Sequence, residues 1–271
     1  DFNNDGFLDV LYTGSDTTRL CENNGGNGFL TQPATFPNLT YSFCASGDYN
    51  NDNFVDILLL GESTSGNITK LYKNEGNDTF TEVPFLFPGV LNGSAHWMDY
   101  NNDGFSDLIL SGEDNNGDPI TKLFKNRKNG QFTEIETGMV NLKNSAISCS
   151  DYNNDGFTDI TIAGNNGPER FTKIYKNVNG VFTDIGAEIV NINSGSVKWG
   201  DFDNDGKPDL VISGMSADPE RWSANCLGYA SCATLKFYHN DGNDLFSQSA
   251  EQTYSRAYAR SSASWGDYDN D

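Results

Sequence analysis

Short apolar segments recur along the chain, each just after a cluster of Asp, Asn and Gly residues. Five of them end in Gly, with the sequences DVLYTG, DILLLG, DLILSG, DITIAG and DLVISG. Their length and their Val, Ile and Leu content are typical of buried strands rather than of helices. A further segment follows each one, as in ITKLYKN, where successive side chains alternate between the two faces of a strand. The pattern therefore predicts two strands after each polar cluster.

Two more strands complete each repeat. One begins at Phe29, Phe80, Phe132, Phe182 or Phe246 after a Gly/Asn turn, and another, such as GSVKWGDF, leads into the next polar loop. The loops start at Asp1, Asp48, Asp99, Asp151, Asp201 and Asp267, which gives a period of roughly 50 residues. Short strands at this period without helical periodicity predict an all-β protein, a β-propeller of four-stranded antiparallel blades. The polar loop would join the first and second strands of each blade.

The repeats cover residues 1–271, which we interpret as a single repeat domain. Since the sequence starts within one loop and stops within another, we expect an excerpt of a longer array. Closure of five blades into a ring, with the last strand completing the first blade, is the alternative. Trp97, Trp199 and Trp265 precede the loops by two residues, as Cys149 does, and we expect these aromatic residues to pack between blades.

The polar loops have the composition of a calcium site. Each complete loop carries oxygen-bearing side chains at positions 1, 3, 5 and 9, and position 7 can offer its backbone carbonyl. Hard oxygen donors suit Ca²⁺, which accepts about six to eight of them, whereas Mg²⁺ demands stricter octahedral geometry. Transition metals favour His or Cys ligands, which the loops lack. Position 6 is Gly except at Asn53, where we expect a weakened site that persists.

We predict about five Ca²⁺ ions, one per complete loop. The predicted ligands are Asp1, Asn3, Asp5, Phe7 and Asp9; Asp48, Asn50, Asp52, Phe54 and Asp56; Asp99, Asn101, Asp103, Phe105 and Asp107; Asp151, Asn153, Asp155, Phe157 and Asp159; and Asp201, Asp203, Asp205, Lys207 and Asp209. An EF-hand would need Glu at position 12 and flanking helices. That position is instead apolar or aromatic and lies in a predicted strand, so the EF-hand and the similarly helical dockerin repeat are both disfavoured.

The segment WGDFDNDGKPDLVISG, residues 199–214, resembles the FG-GAP/VCBS repeat family, the calcium-bearing repeats of integrin α-subunit heads and of many secreted microbial proteins. Related segments cover essentially the whole chain. The resemblance implies a β-propeller with Ca²⁺ in the turn between the first two strands of a blade. The literal Phe-Gly and Gly-Ala-Pro elements are missing, so integrin-like partner recognition is not implied.

Charge and cysteine content bear on partners and compartment. The net charge of -21 would repel nucleic acid phosphates and anionic membrane surfaces, so both are disfavoured as partners. The apolar segments are too short for membrane insertion. Five Cys beside calcium loops favour an extracellular or cell-surface protein. We predict a Cys226–Cys232 disulfide in an insertion of the fifth repeat, and a second between Cys21 and Cys44.

Four Asn-x-Ser/Thr sequons could accept glycans, and all are expected in turns or linkers: Asn38, Asn67, Asn77 and Asn92.

The two His residues, His96 and His239, lie in different repeats and are interpreted as surface or packing variants. With no Gly-x-Ser-x-Gly motif, we predict a protein that is not an enzyme, although propellers that act on polysaccharides are known.

Two non-enzymatic functions follow from this interpretation. The first is an extracellular scaffold for adhesion, protein–protein interaction or self-assembly. The alternative is a carbohydrate-binding lectin, for which Trp222 and Tyr229 in the fifth-repeat insertion are surface candidates. A glycan array would separate the two hypotheses.

Overall fold

The computed structural model describes residues 1–14, 17–32, 36–76, 79–128, 130–216, 232–253 and 262–266. The first three sheets contain β1 Val10–Gly14, β2 Thr17–Asn23 and β3 Phe29–Thr31; β4 Thr40–Gly47, β5 Asp56–Ser63, β6 Gly66–Asn74 and β7 Phe80–Glu82; and β8 Leu91–Met98, β9 Asp107–Glu113, β10 Pro119–Asn126 and β11 Phe132–Ile135. The last two contain β12 Lys143–Ser150, β13 Asp159–Asn166, β14 Glu169–Val178 and β15 Val181–Asp184; and β16 Ile192–Gly200, β17 Asp209–Ser216, β18 Cys232–Gly242 and β19 Leu245–Thr253.

Each sheet is an antiparallel meander whose strands pair in chain order. The first sheet has three strands in the described residues and the other four sheets have four strands each. The predicted all-β class and four-stranded antiparallel sheets are therefore confirmed, and the polar loop joins the first two strands of each four-stranded sheet. Closure of the sheets into a propeller stays a prediction. Within the described ranges, no helix has the length and hydrophobicity needed to span a bilayer.

The chain divides into two compact units, residues 1–136 with the first three sheets and residues 137–271 with the last two. In the first unit, β4 lies beside both β1 and β8, and in the second unit β12 lies beside β16. Successive sheets in each unit therefore contact each other along these strands. That the whole chain forms one repeat domain stays a prediction.

The second strand of each four-stranded sheet is almost completely buried. In β5, Leu58 and Leu60 pack into one apolar cluster together with Leu108 of β9, while Ile57 and Leu59 pack into another with the side chains of the first sheet. Because both faces of the strand are covered, the sequence shows a continuous apolar run instead of alternation. The equivalent strands of the second unit contribute Leu210 and its neighbours to a separate cluster.

The tryptophan that precedes a loop packs against the preceding sheet. A Cβ atom added to Gly47 would lie 2.7 Å from Cδ1 of Trp97, so the absence of a side chain at Gly47 makes room for the indole. Trp199 stacks on Tyr152 with a centroid distance of 5.7 Å and an interplanar angle of 12°. For Trp97 and Trp199, the predicted packing between successive sheets is thus confirmed.

Candidate metal centres

The backbone of every complete loop curls around its first carboxylate. The position-1 Asp accepts hydrogen bonds from the N–H groups of positions 5 and 6, as Asp99 does from Asp103 at 3.0 Å and Gly104 at 2.7 Å. Position 4 is an Asn with φ between 54° and 60° in all five loops, and position 6 also has positive φ. Asn53, with φ of 69°, adopts the same left-handed conformation as the Gly of the other loops. The predicted sharp turn at position 6 is confirmed.

Positions 3 and 5 lie on the same turn. Asn153 Oδ1 accepts the N–H of Asp155 at 2.9 Å, and Asp155 Oδ1 accepts the N–H of Phe157 at 3.0 Å. The position-5 carboxylate accepts the position-7 N–H in the other loops too, through Phe7, Phe54, Phe105 and Lys207. This bond fixes position 7 in the turn, while its carbonyl as a metal ligand stays a prediction.

The position-9 carboxylate fastens the loop to the sheet. Asp56 is fully buried and accepts the N–H of Tyr49 at 3.0 Å and that of Asn74 at 2.8 Å. Burial raises the pKa of Asp56 and of Asp107 to about 6 and that of Asp159 to about 7, although the backbone N–H groups that donate to each carboxylate oppose the shift. Other carboxylates of the same loop add to the increase. A buried anion among like charges is the environment that a bound cation would stabilise.

A second polar residue, which sequence reasoning missed, completes this arrangement. It is the Asn at or near the end of the second-to-last strand of each sheet, here called the repeated asparagine: Asn23, Asn74, Asn126, Asn177 and Asn240. Its N–H donates to the position-9 carboxylate, and its Nδ2 donates to the position-8 carbonyl. The signal was available, because Asn recurs at this place in all five repeats.

The repeated asparagine also joins successive loops. Nδ2 of Asn74 donates to the Phe2 carbonyl at 2.7 Å, and Nδ2 of Asn126 donates to the Tyr49 carbonyl at 2.7 Å. Asn240 makes the equivalent bond in the second unit. A parallel set comes from position 4, where Asn51 Nδ2 donates to the Gly104 carbonyl at 2.7 Å. The loops of each unit therefore form a continuous hydrogen-bonded row.

The donor set fits a hard divalent cation. Ligand atoms of Asp201, Asp203 and Asp209 all lie within 4.8 Å of one another. Two oxygens on opposite sides of a Ca²⁺ ion, each at about 2.4 Å, would have such a separation. Cationic side chains already approach these loops, since Lys125 Nζ lies 3.1 Å from Asp103 Oδ2. The carboxylates are thus gathered where positive charge is needed.

His239 lies beside the fifth loop, which the interpretation as a surface or packing variant did not foresee. Its Nε2 is 3.0 Å from Asp203 Oδ2, and its Nδ1 is 2.9 Å from Asp241 Oδ1. His96 instead has Nδ1 2.8 Å from the Trp97 carbonyl. The sequence signal for His239 was its place immediately before a repeated asparagine.

The predicted Cys21–Cys44 disulfide is not formed, and both thiols are free. Cys21 is on β2 of the first sheet, with Sγ 3.9 Å from Thr31 Oγ1, whereas Cys44 is on β4 of the second sheet among apolar side chains. Burial raises the pKa of the Cys149 thiol. Cys226 and the side chain of Cys232 lie outside the described residues, so that disulfide stays a prediction.

The sequons are not all in turns and linkers, contrary to expectation. Asn38 is exposed and outside the strands, but Asn67 lies in β6 and Asn92 in β8. Asn67 Nδ2 donates to the carbonyls of Glu113 and Asp114, so a glycan on that nitrogen would disrupt these contacts. Asn77, Trp222, Tyr229 and residues 267–271 lie outside the described residues.

Comparisons with known proteins address the family. A solved Agrocybe aegerita lectin, whose structure concerns recognition of non-reducing terminal N-acetylglucosamine, is 15% identical to this chain, with a TM-score of 0.47. The alignment covers 90% of this chain and 76% of the lectin chain. No curated protein matches the chain. The FG-GAP-like repeat family matches residues 1–59, 48–110 and 151–212, which together make up more than half of the chain. The chain therefore belongs to the FG-GAP-like repeat family.

Proposed function

We propose that this protein is an extracellular, calcium-stabilised repeat scaffold that presents its surfaces to other proteins or to further copies of itself. Catalysis forms no part of the proposal. The observation that carries it is the repetition of one loop geometry, in which a backbone turn wraps around the position-1 carboxylate and a second carboxylate at position 9 anchors the turn. Geometry conserved in every repeat is typical of scaffolding, since a catalytic site needs only one copy.

The residues of the loop have two different roles, one in fixing the turn and one in binding the ion. Position 9 and the repeated asparagine fix the base of the turn, while positions 1, 3 and 5 would supply the other side-chain oxygens for the ion. Bound Ca²⁺ would supply positive charge and further bonds that hold these oxygens together. Five ions would add ten positive charges and change the formal charge from -21 to -11. The reduced repulsion would stabilise the folded chain.

The loops support the extracellular part of the proposal. They are short and each contains solvent-exposed residues, and calcium sites of extracellular modules have dissociation constants of about 10⁻⁴–10⁻³ M. Calcium outside cells is plentiful enough to fill such sites.

Calcium titration tests the proposal. We expect calorimetry of the chelator-treated full chain to give about five Ca²⁺ ions, and thermal unfolding to occur at a higher midpoint in Ca²⁺ than in EDTA. Asp151→Asn should remove one ion, whereas Glu188→Gln, the same charge change at an exposed residue outside the loops, should leave the stoichiometry intact. An unfolding midpoint that does not change with Ca²⁺, together with no heat of Ca²⁺ binding, would refute the calcium role.

Carbohydrate binding is the second candidate, and a cavity in the second unit favours it. The cavity has a volume of about 340 Å³ and is lined by polar groups that include Asn154, Asn243, Asp241 and Lys207. Amide and charged side chains around a concave site can hydrogen-bond sugar hydroxyls. Reproducible signals on a glycan array, lost in Asn243→Ala, would favour the lectin. No binding on the glycan array, together with self-association in analytical ultracentrifugation, would favour the scaffold.

A further inference from the structure

One position beside the loops varies strongly although the loops themselves are nearly constant. It directly precedes the repeated asparagine, and we call its occupant the slot residue: Glu22, Lys73, Lys125, Lys176 and His239. Lys125 Nζ lies 3.1 Å from Asp103 Oδ2, and Glu22 Oε1 accepts a hydrogen bond from Asn3 Nδ2 at 3.2 Å. In the first, second, third and fifth repeats the slot residue therefore reaches its own loop, where it adds a charge or a ligand atom.

In the fifth repeat the slot residue is an imidazole that is oriented by its surroundings. Nδ1 of His239 lies 2.9 Å from Asp241 Oδ1, and Ser247 Oγ donates to that same oxygen at 3.1 Å. If Nδ1–H donates to Asp241, the lone pair of Nε2 faces the loop, 3.0 Å from Asp203 Oδ2 and 3.8 Å from Asp205 Oδ2. A carboxylate that accepts the distal N–H is the usual companion of a metal-ligating histidine.

We propose that the fifth loop is a mixed nitrogen–oxygen site for a first-row transition metal ion such as Zn²⁺, bound through His239 Nε2, Asp203 and Asp205. The inference rests on the proposed cation binding of the loops and adds that the slot residue selects the metal. Ligand atoms of these three residues lie within 4.8 Å of one another, close enough to share one ion. Lys207 Nζ, 2.5 Å from Asp205 Oδ2, would move aside on its exposed stem.

The chemistry separates this loop from the other four. Imidazole nitrogen binds Zn²⁺ strongly, at about 2.0–2.1 Å, whereas Ca²⁺ prefers oxygen ligands. The slot residues of the second, third and fourth repeats are lysines, whose ammonium groups offer no lone pair. Glu22 offers the first loop a further oxygen, which suits Ca²⁺. Only the fifth loop combines acidic residues with a slot imidazole.

The test is a Zn²⁺ titration of the calcium-loaded full chain, with its thiols alkylated so that cysteine cannot hold zinc. We expect one Zn²⁺ per chain by calorimetry, replacing the Ca²⁺ of the fifth loop, and Co²⁺ bound there should give visible absorption bands that shift or weaken when His239 is replaced. His239→Lys, which installs the residue found in three other repeats, should weaken Zn²⁺ binding at least about 30-fold and leave five Ca²⁺ ions bound. Asp241→Asn should weaken Zn²⁺ binding about 10-fold or more. His96→Gln is the matched control and should change neither metal.

A gain-of-function variant tests the slot directly. Glu75 follows Asn74 as Asp241 follows Asn240, so Lys73→His should create a second Zn²⁺ site in the second loop. Undiminished Zn²⁺ binding by His239→Lys, or a Lys73→His protein that still binds one Zn²⁺, would overturn the inference. Calcium binding without any Zn²⁺ binding would overturn it too, yet leave the calcium scaffold standing. A chain that binds neither ion would remove both.

Discussion

The buried side chain of Asn126 joins two loops that are far apart in sequence, and its removal should be costly. Asn126 is 1% exposed, and its Nδ2 donates to the carbonyls of Tyr49 at 2.7 Å and Ser106 at 3.0 Å. Its Oδ1 accepts the N–H of Lys128 at 2.8 Å. Tyr49 belongs to the second loop and Ser106 to the third. Asn126→Ala therefore breaks one bond between loops and two bonds near its own loop.

The cost can be worked out bond by bond. The Tyr49 residue is 5% exposed, so its carbonyl would be left buried without this donor, at a cost of about 1–3 kcal/mol. The other two partners are nearer to water, and each lost bond there costs about 0.5–1 kcal/mol. The sum is about 3 kcal/mol. Asn23 is the matched control, because it is half-buried, its Nδ2 donates to the Leu8 carbonyl of its own loop, and its Oδ1 accepts a long, exposed bond from the Gly26 N–H at 3.4 Å. Asn23→Ala should cost about 1 kcal/mol.

Thermal unfolding in saturating Ca²⁺, followed by tryptophan fluorescence, measures the difference. Asn126→Ala should lower the midpoint by about 6–12 °C, and Asn23→Ala by at most a few degrees. Asn126→Asp should be at least as damaging as Asn126→Ala, since it places a carboxylate against two carbonyl oxygens. Equal losses from Asn126→Ala and Asn23→Ala would refute the argument that the bond between loops carries the energy.

Three further outcomes are expected. Gly104→Ala, at φ of 84° with open space around the added Cβ, should cost about 1–2 kcal/mol from backbone strain alone, and Gly104→Asn should cost less, as urea unfolding can show. Gly47→Ala should lower the unfolding midpoint by displacing Trp97, and a smaller residue in place of Trp97 should partly relieve the clash. In EDTA, the contribution of Asp159 to stability should fall as the pH rises from 3.8 through about 7, because the folded state binds the carboxyl proton of Asp159 more tightly than the unfolded chain does. Saturating Ca²⁺ should remove this pH dependence. In EDTA, the unfolding midpoint of Asp159→Asn relative to that of the parent chain should rise with pH.

The strands were predictable because their causes are local. A run such as DILLLG is short, β-branched or leucine-rich and bounded by turn residues, and β5 is buried over almost its whole length. The sharp turn at position 6 was predictable for the same reason, since Asn53 adopts a left-handed conformation that few residues other than Gly tolerate. Both features depend on interactions within about ten residues of chain.

The contacts between loops were not predicted because the residues that form them are far apart in the sequence. The bonds from the repeated asparagine to the preceding loop span 72, 77 and 88 residues. A local interpretation places an Asn at the end of a strand in an ordinary turn and gives it no further role. The Cys21–Cys44 pairing failed similarly, since cysteine spacing does not determine which strands lie together.

The structure distinguishes the part of each repeat that holds the fold from the part that would adjust the proposed metal binding. Position 9 and the repeated asparagine are constant in all five repeats, and they bond to each other and to the backbone. The slot residue is adjacent to that asparagine yet varies among Glu, Lys and His. Because its side chain reaches the loop from outside this bonded frame, it can change without loss of the frame. We therefore expect the five loops to differ in metal affinity and preference while sharing one backbone geometry, with Glu22 favouring Ca²⁺, the lysines weakening it by charge repulsion, and His239 favouring a transition metal.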